Sequence, residues 1–345
     1  MSKTLMIAAA AMLLGAGQLF AFESYKEAFG QGQKLEKSQK YTEAEKDYAE
    51  ASTLAKNANE KYNALFRQGE CLRVSRNWPD AIKTFKEAVA LKGISPSQKS
   101  GAQLRIGQCN EWSGKRDQAL IEYEAVFVIE NANPYHVGDA LARQANCYRA
   151  LKQYDKSDAA ADKILAMEKA HPNHIARAHL IKGYNLRDAK KYDEAIAEFK
   201  KAIDIPKAYK DLVTEAHNAI SDILMRQKKY DEAQKEAQIV IDYPKAHPHH
   251  VSSAMNRIAA IQRTEKKYND SIKTSEAVIA MPKAHPYHKA DSQLNIGYCW
   301  FYLQEYPKAV DSFQKVADSK DAGSWQKKAA KAWISKTQQK LNQTK

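Results

Sequence analysis

The chain has 345 residues, 54 Lys and Arg against 41 Asp and Glu, and a formal net charge of +13. A basic excess of this size suits acidic partners such as anionic peptides, acidic polysaccharide or a lipid surface. No Gly-x-Ser-x-Gly, phosphate-cradling glycine loop, His-Glu-x-x-His or Cys-x-x-Cys stands in it, so neither an enzyme nor a cofactor is expected.

The N-terminal segment reads as an export signal. Lys3 is a short positive region, and Thr4 to Gly17 form an uncharged run rich in Ala, Leu and Met. A membrane span needs about 20 apolar residues, and Gln18 and Glu23 close this run sooner. Leu19-Phe20-Ala21 is an acceptable cleavage site with no Cys after it, so residues 1–21 are expected to be removed after about Ala21. An uncleaved anchor is the alternative. The mature chain, from Phe22, is then periplasmic or secreted with no transmembrane span, and nucleic acid is not an expected partner there.

Beyond that segment a period governs the chain. Tyr154, Tyr192, Tyr230, Tyr268 and Tyr306 stand 38 residues apart. The register extends back through Arg116 and Trp78, and to Tyr41 with one residue fewer. Eight copies follow, starting near residues 25, 62, 100, 138, 176, 214, 252 and 290. A period in this range marks a stacked-repeat array, here expected over 22–327. In the last copy Ala290 to Leu303 reads as one helix, Gln304-Glu305 as a turn, and Tyr306 to Val316 as a second helix, with Pro307 in its first turn. The fold class is therefore all-α, a solenoid of αα-hairpins. Nine residues before each Tyr position stand Gly32, Gly69, Gly107, Ala145, Gly183, Ser221, Ala259 and Gly297. A helical Gly costs about 1 kcal/mol against Ala, so close packing must offset it. Residues 324–345 are expected to form a capping helix and basic tail, with Trp325, Ala329, Ala332 and Trp333 covering the last open face. Residues 319–345 hold seven lysines against Asp321 alone.

Gly183 followed by Tyr192-Asp193-Glu194-Ala195 resembles the core of the tetratricopeptide repeat family, and the other copies carry it in degraded form. The resemblance covers about residues 25–327. It implies a right-handed superhelix whose inner helices line a groove. The family usually repeats every 34 residues, so the extra ones are expected between hairpins, in segments such as 281–288. It also implies groove positions 12, 8 and 5 residues before each Tyr position. These carry Asn218 and Asn256, then Asn146, Tyr184 and Tyr298, then Arg73, Arg149, Arg187 and Arg263. Forks of Arg beside amides and aromatics fit an acidic protein or peptide as partner, with Arg149 and Arg187 as the leading anchors. Lys190-Lys191, Lys228-Lys229 and Lys266-Lys267 sit at hairpin turns. They suit helix C-termini and offer a second possibility, a ridge touching an envelope polyanion, either glycan or lipid.

Cys71, Cys109, Cys147 and Cys299 each lie seven residues before a Tyr position. Neighbouring helices pack about 8–10 Å apart, beyond the roughly 7 Å between Cα atoms that a disulfide spans, so four free thiols are expected. Three loops read His-Pro-x-His: His171 to His174, His247 to His250 and His285 to His288. Pro at the first helical position explains them as helix starts. A metal held by His171, His174, His247, His250, His285 and His288 is the alternative. His179 and His217 are expected to be ordinary packing residues.

Overall fold

The computed structural model describes residues 22–343; residues 1–21, where an export signal is expected, lie outside them. Seventeen helices follow one another, and the described residues contain no strand. In chain order they are α1 Tyr25–Lys37, α2 Tyr41–Leu54, α3 Ala58–Val74, α4 Trp78–Ala90, α5 Pro96–Trp112, α6 Arg116–Phe127, α7 Pro134–Ala150, α8 Tyr154–Leu165, α9 Pro172–Asp188, α10 Tyr192–Ile203, α11 Lys210–Arg226, α12 Tyr230–Asp242, α13 Pro248–Thr264, α14 Tyr268–Ala280, α15 Pro286–Tyr302, α16 Tyr306–Asp318 and α17 Ser324–Gln343. The all-α hairpin fold expected from the period is the one observed.

The chain divides into two compact units at Cys147 and Tyr148. In each, the first helix of a hairpin packs on its second and on the next hairpin. In the first unit α1 touches α3 and α3 touches α5; in the second α9 touches α11, α11 touches α13 and α13 touches α15. Second helices approach one another less closely, meeting through side chains such as Lys86 of α4 and Glu122 of α6 at 3.7 Å. The first helices therefore line an inner side within each unit.

Each second helix starts at the Tyr position because of the residue two places before it. Gln39, Arg76, Gly114, Lys152, Lys190, Lys228, Lys266 and Gln304 all adopt positive φ, from 59° at Lys152 to 83° at Gly114. The Lys190 N–H then reaches Arg187 O at 2.9 Å and the Lys191 N–H reaches Leu186 O at 2.9 Å, the pair of bonds that ends a helix with a left-handed residue.

The recurring glycines have a partner. A Cβ on Gly183 would stand 2.6 Å from Phe199 Cε1, and one on Gly297 would stand 2.6 Å from Phe313 Cε1. Gly69 meets Phe85 and Gly107 meets Tyr123 in the same way. The aromatic ring is always seven residues after the Tyr position. Where the glycine is replaced by Ala145, Ser221 or Ala259, that later position holds Ala161, Ala237 or Ser275. Each hairpin thus uses either glycine with a ring or two small residues. Two serines at small-residue positions bond a carbonyl, Ser221 Oγ donating to Ala233 O at 2.7 Å and Ser271 Oγ to Ala259 O at 2.7 Å.

Three local expectations need correction. Residues 286–288, expected in a connection, are the first turn of α15, because Pro286 enters at the first helical position and His285 caps it. On α17 the buried side is Gln326, Ala330 and Thr337, not Ala329 and Ala332, of which Ala332 is exposed. Trp333 does cover the last hairpin, its ring 5.0 Å from Tyr298, 5.1 Å from Phe301 and 5.9 Å from Phe313. Trp325 instead stays 51% exposed and donates through Nε1 to the Tyr287 hydroxyl at 2.8 Å. Finally, His179 and His217 are not simple packing residues. Their Nδ1 atoms lie 2.8 Å from Glu198 and 2.7 Å from Glu236, equivalent contacts in successive hairpins.

Candidate functional site

The inner side of the first unit neutralises itself. Arg67 pairs with Glu36 at 3.2 Å. Arg105 pairs with Glu70 at 2.8 Å, and Glu70 also holds Arg73 through both oxygens, at 3.0 and 2.7 Å. Arg143 pairs with Glu111 at 3.1 Å and Asp139 at 3.3 Å. Arg73 and Arg143 both lie over the Trp112 ring, at 5.1 and 5.6 Å. Of the expected groove residues here, Arg73 is committed to a carboxylate of its own helix, and Asn146 is half-buried on α7.

The inner side of the second unit differs. Arg149 and Arg187 both reach Asp188, at 3.4 and 2.9 Å, and both lie over Tyr184, at 5.3 and 4.9 Å. One carboxylate shared by two guanidinia leaves one positive charge. Tyr184 donates its hydroxyl to Glu215 at 2.8 Å; burial foremost, then that carboxylate, push its ionisation well above the ordinary range. Asn218 is buried, donating to His250 O at 3.2 Å and accepting from Arg257 Nη1 at 2.9 Å. Asn256 donates to His288 O at 2.9 Å. These two amides tie one first helix to the next.

Further along, α11, α13 and α15 enclose a cleft of about 490 Å³. Asn256, Arg263 and Tyr298 line it together with Arg257, Trp325 and Tyr287. Arg263 lies 4.8 Å over the Tyr298 ring; among the described residues no carboxylate stands within 4.0 Å of it. Burial raises the ionisation of Tyr298, against the lowering effect of Arg263. Two carboxylates share the walls. Asp222 is paired to Arg226 at 3.0 Å, and Asp291 accepts from Gln326, its carboxyl raised by burial. The cleft thus combines aromatic faces with cationic groups not matched by a bound carboxylate.

The histidine loops are helix caps. Nδ1 of His171, His247 and His285 each accepts the N–H two residues on, at 3.2 Å, which orders the first turn. His174 and His288 are buried beneath these turns. In the second unit His249 Nδ1 and His288 Nε2 lie 3.2 Å apart, with the rings of His250 and His285 at 5.5 and 5.8 Å from His249. Among the described residues no group of three or more His, Cys, Asp or Glu side chains is placed to hold a metal. The four cysteines are buried and free, and burial pushes the Cys71, Cys109 and Cys147 thiols up to about 12. At the hairpin turns Lys191 and Lys267 are partly matched by Glu194 at 3.7 Å and Glu265 at 2.8 Å.

The signal that would have located this cleft is the set of residues 11 before each Tyr position. Arg67, Arg105, Arg143 and Arg257 all occupy it. It falls between the groove positions the resemblance supplies, so Arg257 was not among the expected site residues.

Stacked αα-hairpins that gather polar and aromatic side chains on their inner faces define a class, the helical-repeat interaction scaffolds. Models of the tetratricopeptide repeat match residues 29–98, 176–209 and 291–319. The chain carries tetratricopeptide repeats over these segments. Its fold is similar to that of a tetratricopeptide repeat protein from Parabacteroides merdae, at 17% identity and a TM-score of 0.55, over 80% of this chain and 98% of that one. It is likewise similar to the apo form of RapI, at 14% identity and a TM-score of 0.56, over 92% of this chain and 98% of that one. Among curated proteins no sequence match is found. Among the described residues no helix is long and apolar enough to cross a membrane.

Proposed function

We propose that the chain is an exported, non-catalytic scaffold that captures a protein or peptide bearing acidic residues on the inner side of its second unit. The observation that carries this reading is Arg263, stacked on Tyr298 in an open cleft without a carboxylate of its own. Stacked guanidinia and aromatic rings dominate many protein interfaces, and a guanidinium on a ring keeps its hydrogen-bond donors for a partner. Arg149, Arg187, Tyr184, Asn218 and Asn256 extend the same side, and Arg73 and Asn146 are their counterparts in the first unit. Export rests on the segment of residues 1–21, and the net charge of +13 favours acidic partners.

The test is capture from an envelope extract by the immobilised mature chain, read by mass spectrometry, beside an Arg263→Ala variant. Acidic proteins retained by the wild type and lost by the variant are the expected result. Equal retention by both would contradict the reading. Elution that needs only modest salt, with retention unchanged by Arg263→Ala, would instead favour a polyanion on the lysine turns.

A further inference from the structure

Lys169-Ala170-His171, Lys207-Ala208-Tyr209, Lys245-Ala246-His247 and Lys283-Ala284-His285 are four copies of one tripeptide, a lysine, an alanine and a ring, 38 residues apart. Each lies in the connection that leads into a first helix, α9, α11, α13 or α15, so all four stand on one edge of the second unit, opposite the hairpin turns. Successive connections touch. The His171 and Tyr209 rings lie 6.3 Å apart, Lys210 donates to Lys245 O, and His249 in the first turn of α13 lies 5.8 Å from His285. The four lysines are exposed, and among the described residues no carboxylate stands within 4.0 Å of any of them. The fold does not require lysine there: Gly93 and Asn131 hold the same place in the first unit, and Asp321 holds it in the last connection.

Nδ1 of His247 and of His285 accepts a backbone N–H at 3.2 Å, so the proton of each neutral ring sits on Nε2 and is a donor. Both rings are exposed, as is Tyr209 with its hydroxyl. The edge thus offers, repeat after repeat, one ammonium, one ring face and one further donor. Successive first helices pack directly on one another, about 8–10 Å apart, a step close to the length of two linked sugar rings. We propose that this edge binds an acidic polysaccharide laid along it, each lysine meeting a carboxylate while the rings pack on sugar faces. An anionic lipid surface fits less well. Among the large hydrophobic side chains of these four connections only Tyr209 is exposed, and no aliphatic one is there to enter a bilayer. The surface is separate from the one that captures a peptide, since none of these lysines or rings lines the cleft.

The experiment titrates the full mature chain with fluorescent octagalacturonate. Maltooctaose is the neutral sugar, and octathymidylate and phosphatidylglycerol vesicles are the other polyanions. Wild type is expected to bind octagalacturonate roughly tenfold or more tightly than digalacturonate, because several repeats engage the longer chain, and not to bind maltooctaose. Lys207→Gln/Lys245→Gln/Lys283→Gln should weaken octagalacturonate by roughly tenfold or more. Lys190→Gln/Lys228→Gln/Lys266→Gln removes the same charge from the opposite edge and should change it by less than about threefold, the share owed to long-range charge alone. Gln39 and Gln304 already occupy left-handed turns of this chain, so both variants should keep the wild-type thermal midpoint. Tyr209→Ala should weaken octagalacturonate without altering its salt dependence, since the ring carries no charge. Equal weakening by the two lysine variants would overturn the inference. So would octathymidylate or vesicles bound as tightly as octagalacturonate, or no binding of octagalacturonate by the wild type. None of these results bears on capture through Arg263.

Discussion

Gly183 shows how one absent methyl group sets a helix separation. Its replacement by Ala gains about 1 kcal/mol of helix propensity but drives a Cβ to 2.6 Å from Phe199, and overpacking costs about 1–3 kcal/mol. Gly183→Ala should therefore lower the urea midpoint. In a Phe199→Ala background the clash is gone, so the same change should raise it, since copies such as Ala145 with Ala161 already use that pairing. The same sign in both backgrounds would contradict the packing account. The thiols give a second residue-scale prediction. All four cysteines are buried with raised ionisation, and thiolate is the reactive form. Native protein should react negligibly with a thiol reagent at pH 7.5, and denatured, non-reduced protein should titrate four. The recurrence of glycine was legible in the sequence. Its ring partner was not, because pairing two positions sixteen residues apart needs the hairpin geometry.

At the scale of the helix start, the imidazoles make stability depend on pH. Burial comes first in lowering His249, His250 and His288, with neighbouring histidines adding to it and, at His288 and His250, Arg257; Asp211 beside His250 and Glu215 beside His249 oppose. The ordinary value is 6.5 and His288 falls to about 4. The folded state therefore resists protons that the unfolded chain takes up. Stability is full above pH 6.5 and falls as pH drops toward 4, His288 alone accounting for roughly 2 kcal/mol of the loss at pH 5. The denaturant midpoint should fall from pH 7 to pH 5, and a His249→Gln/His288→Gln variant should show a shallower fall. Equal slopes would remove the cluster as the cause. Pro-initiated helices were legible in the loops, but the capping role of His171, His247 and His285 was not, since the motif alone does not tell which group takes the Nδ1 lone pair. Hairpin turns were placed by register alone: of the eight left-handed turn residues only Gly114 is glycine, so ordinary turn signals were missing.

The two units differ in how they dispose of charge. The first closes its arginines with glutamate and aspartate, and the second leaves Arg257 and Arg263 facing a cleft. The hairpin class was legible from the period, and the inner helices only through the family resemblance. Which arginines are already matched was not, because Arg105 with Glu70 and Arg149 with Asp188 are contacts across 35 and 39 residues. Capture by the inner side of the second unit is the central claim, and one comparison tests it most directly. An inner-side variant, Arg149→Ala/Arg187→Ala/Arg263→Ala, is set against a turn-edge variant, Lys228→Ala/Lys229→Ala, with capture of the acidic partner from envelope extract and thermal midpoint measured for each. Loss of charge-assisted contacts in a desolvated groove costs on the order of 2–5 kcal/mol per buried pair, whereas the half-buried Arg149 and Arg187 give up ion pairs with Asp188 worth about 0–1 kcal/mol each to folding. The account predicts that the inner-side variant loses capture and keeps its midpoint close to wild type, while the turn-edge variant captures normally. Loss of capture by the turn-edge variant with retention by the inner-side variant would contradict it.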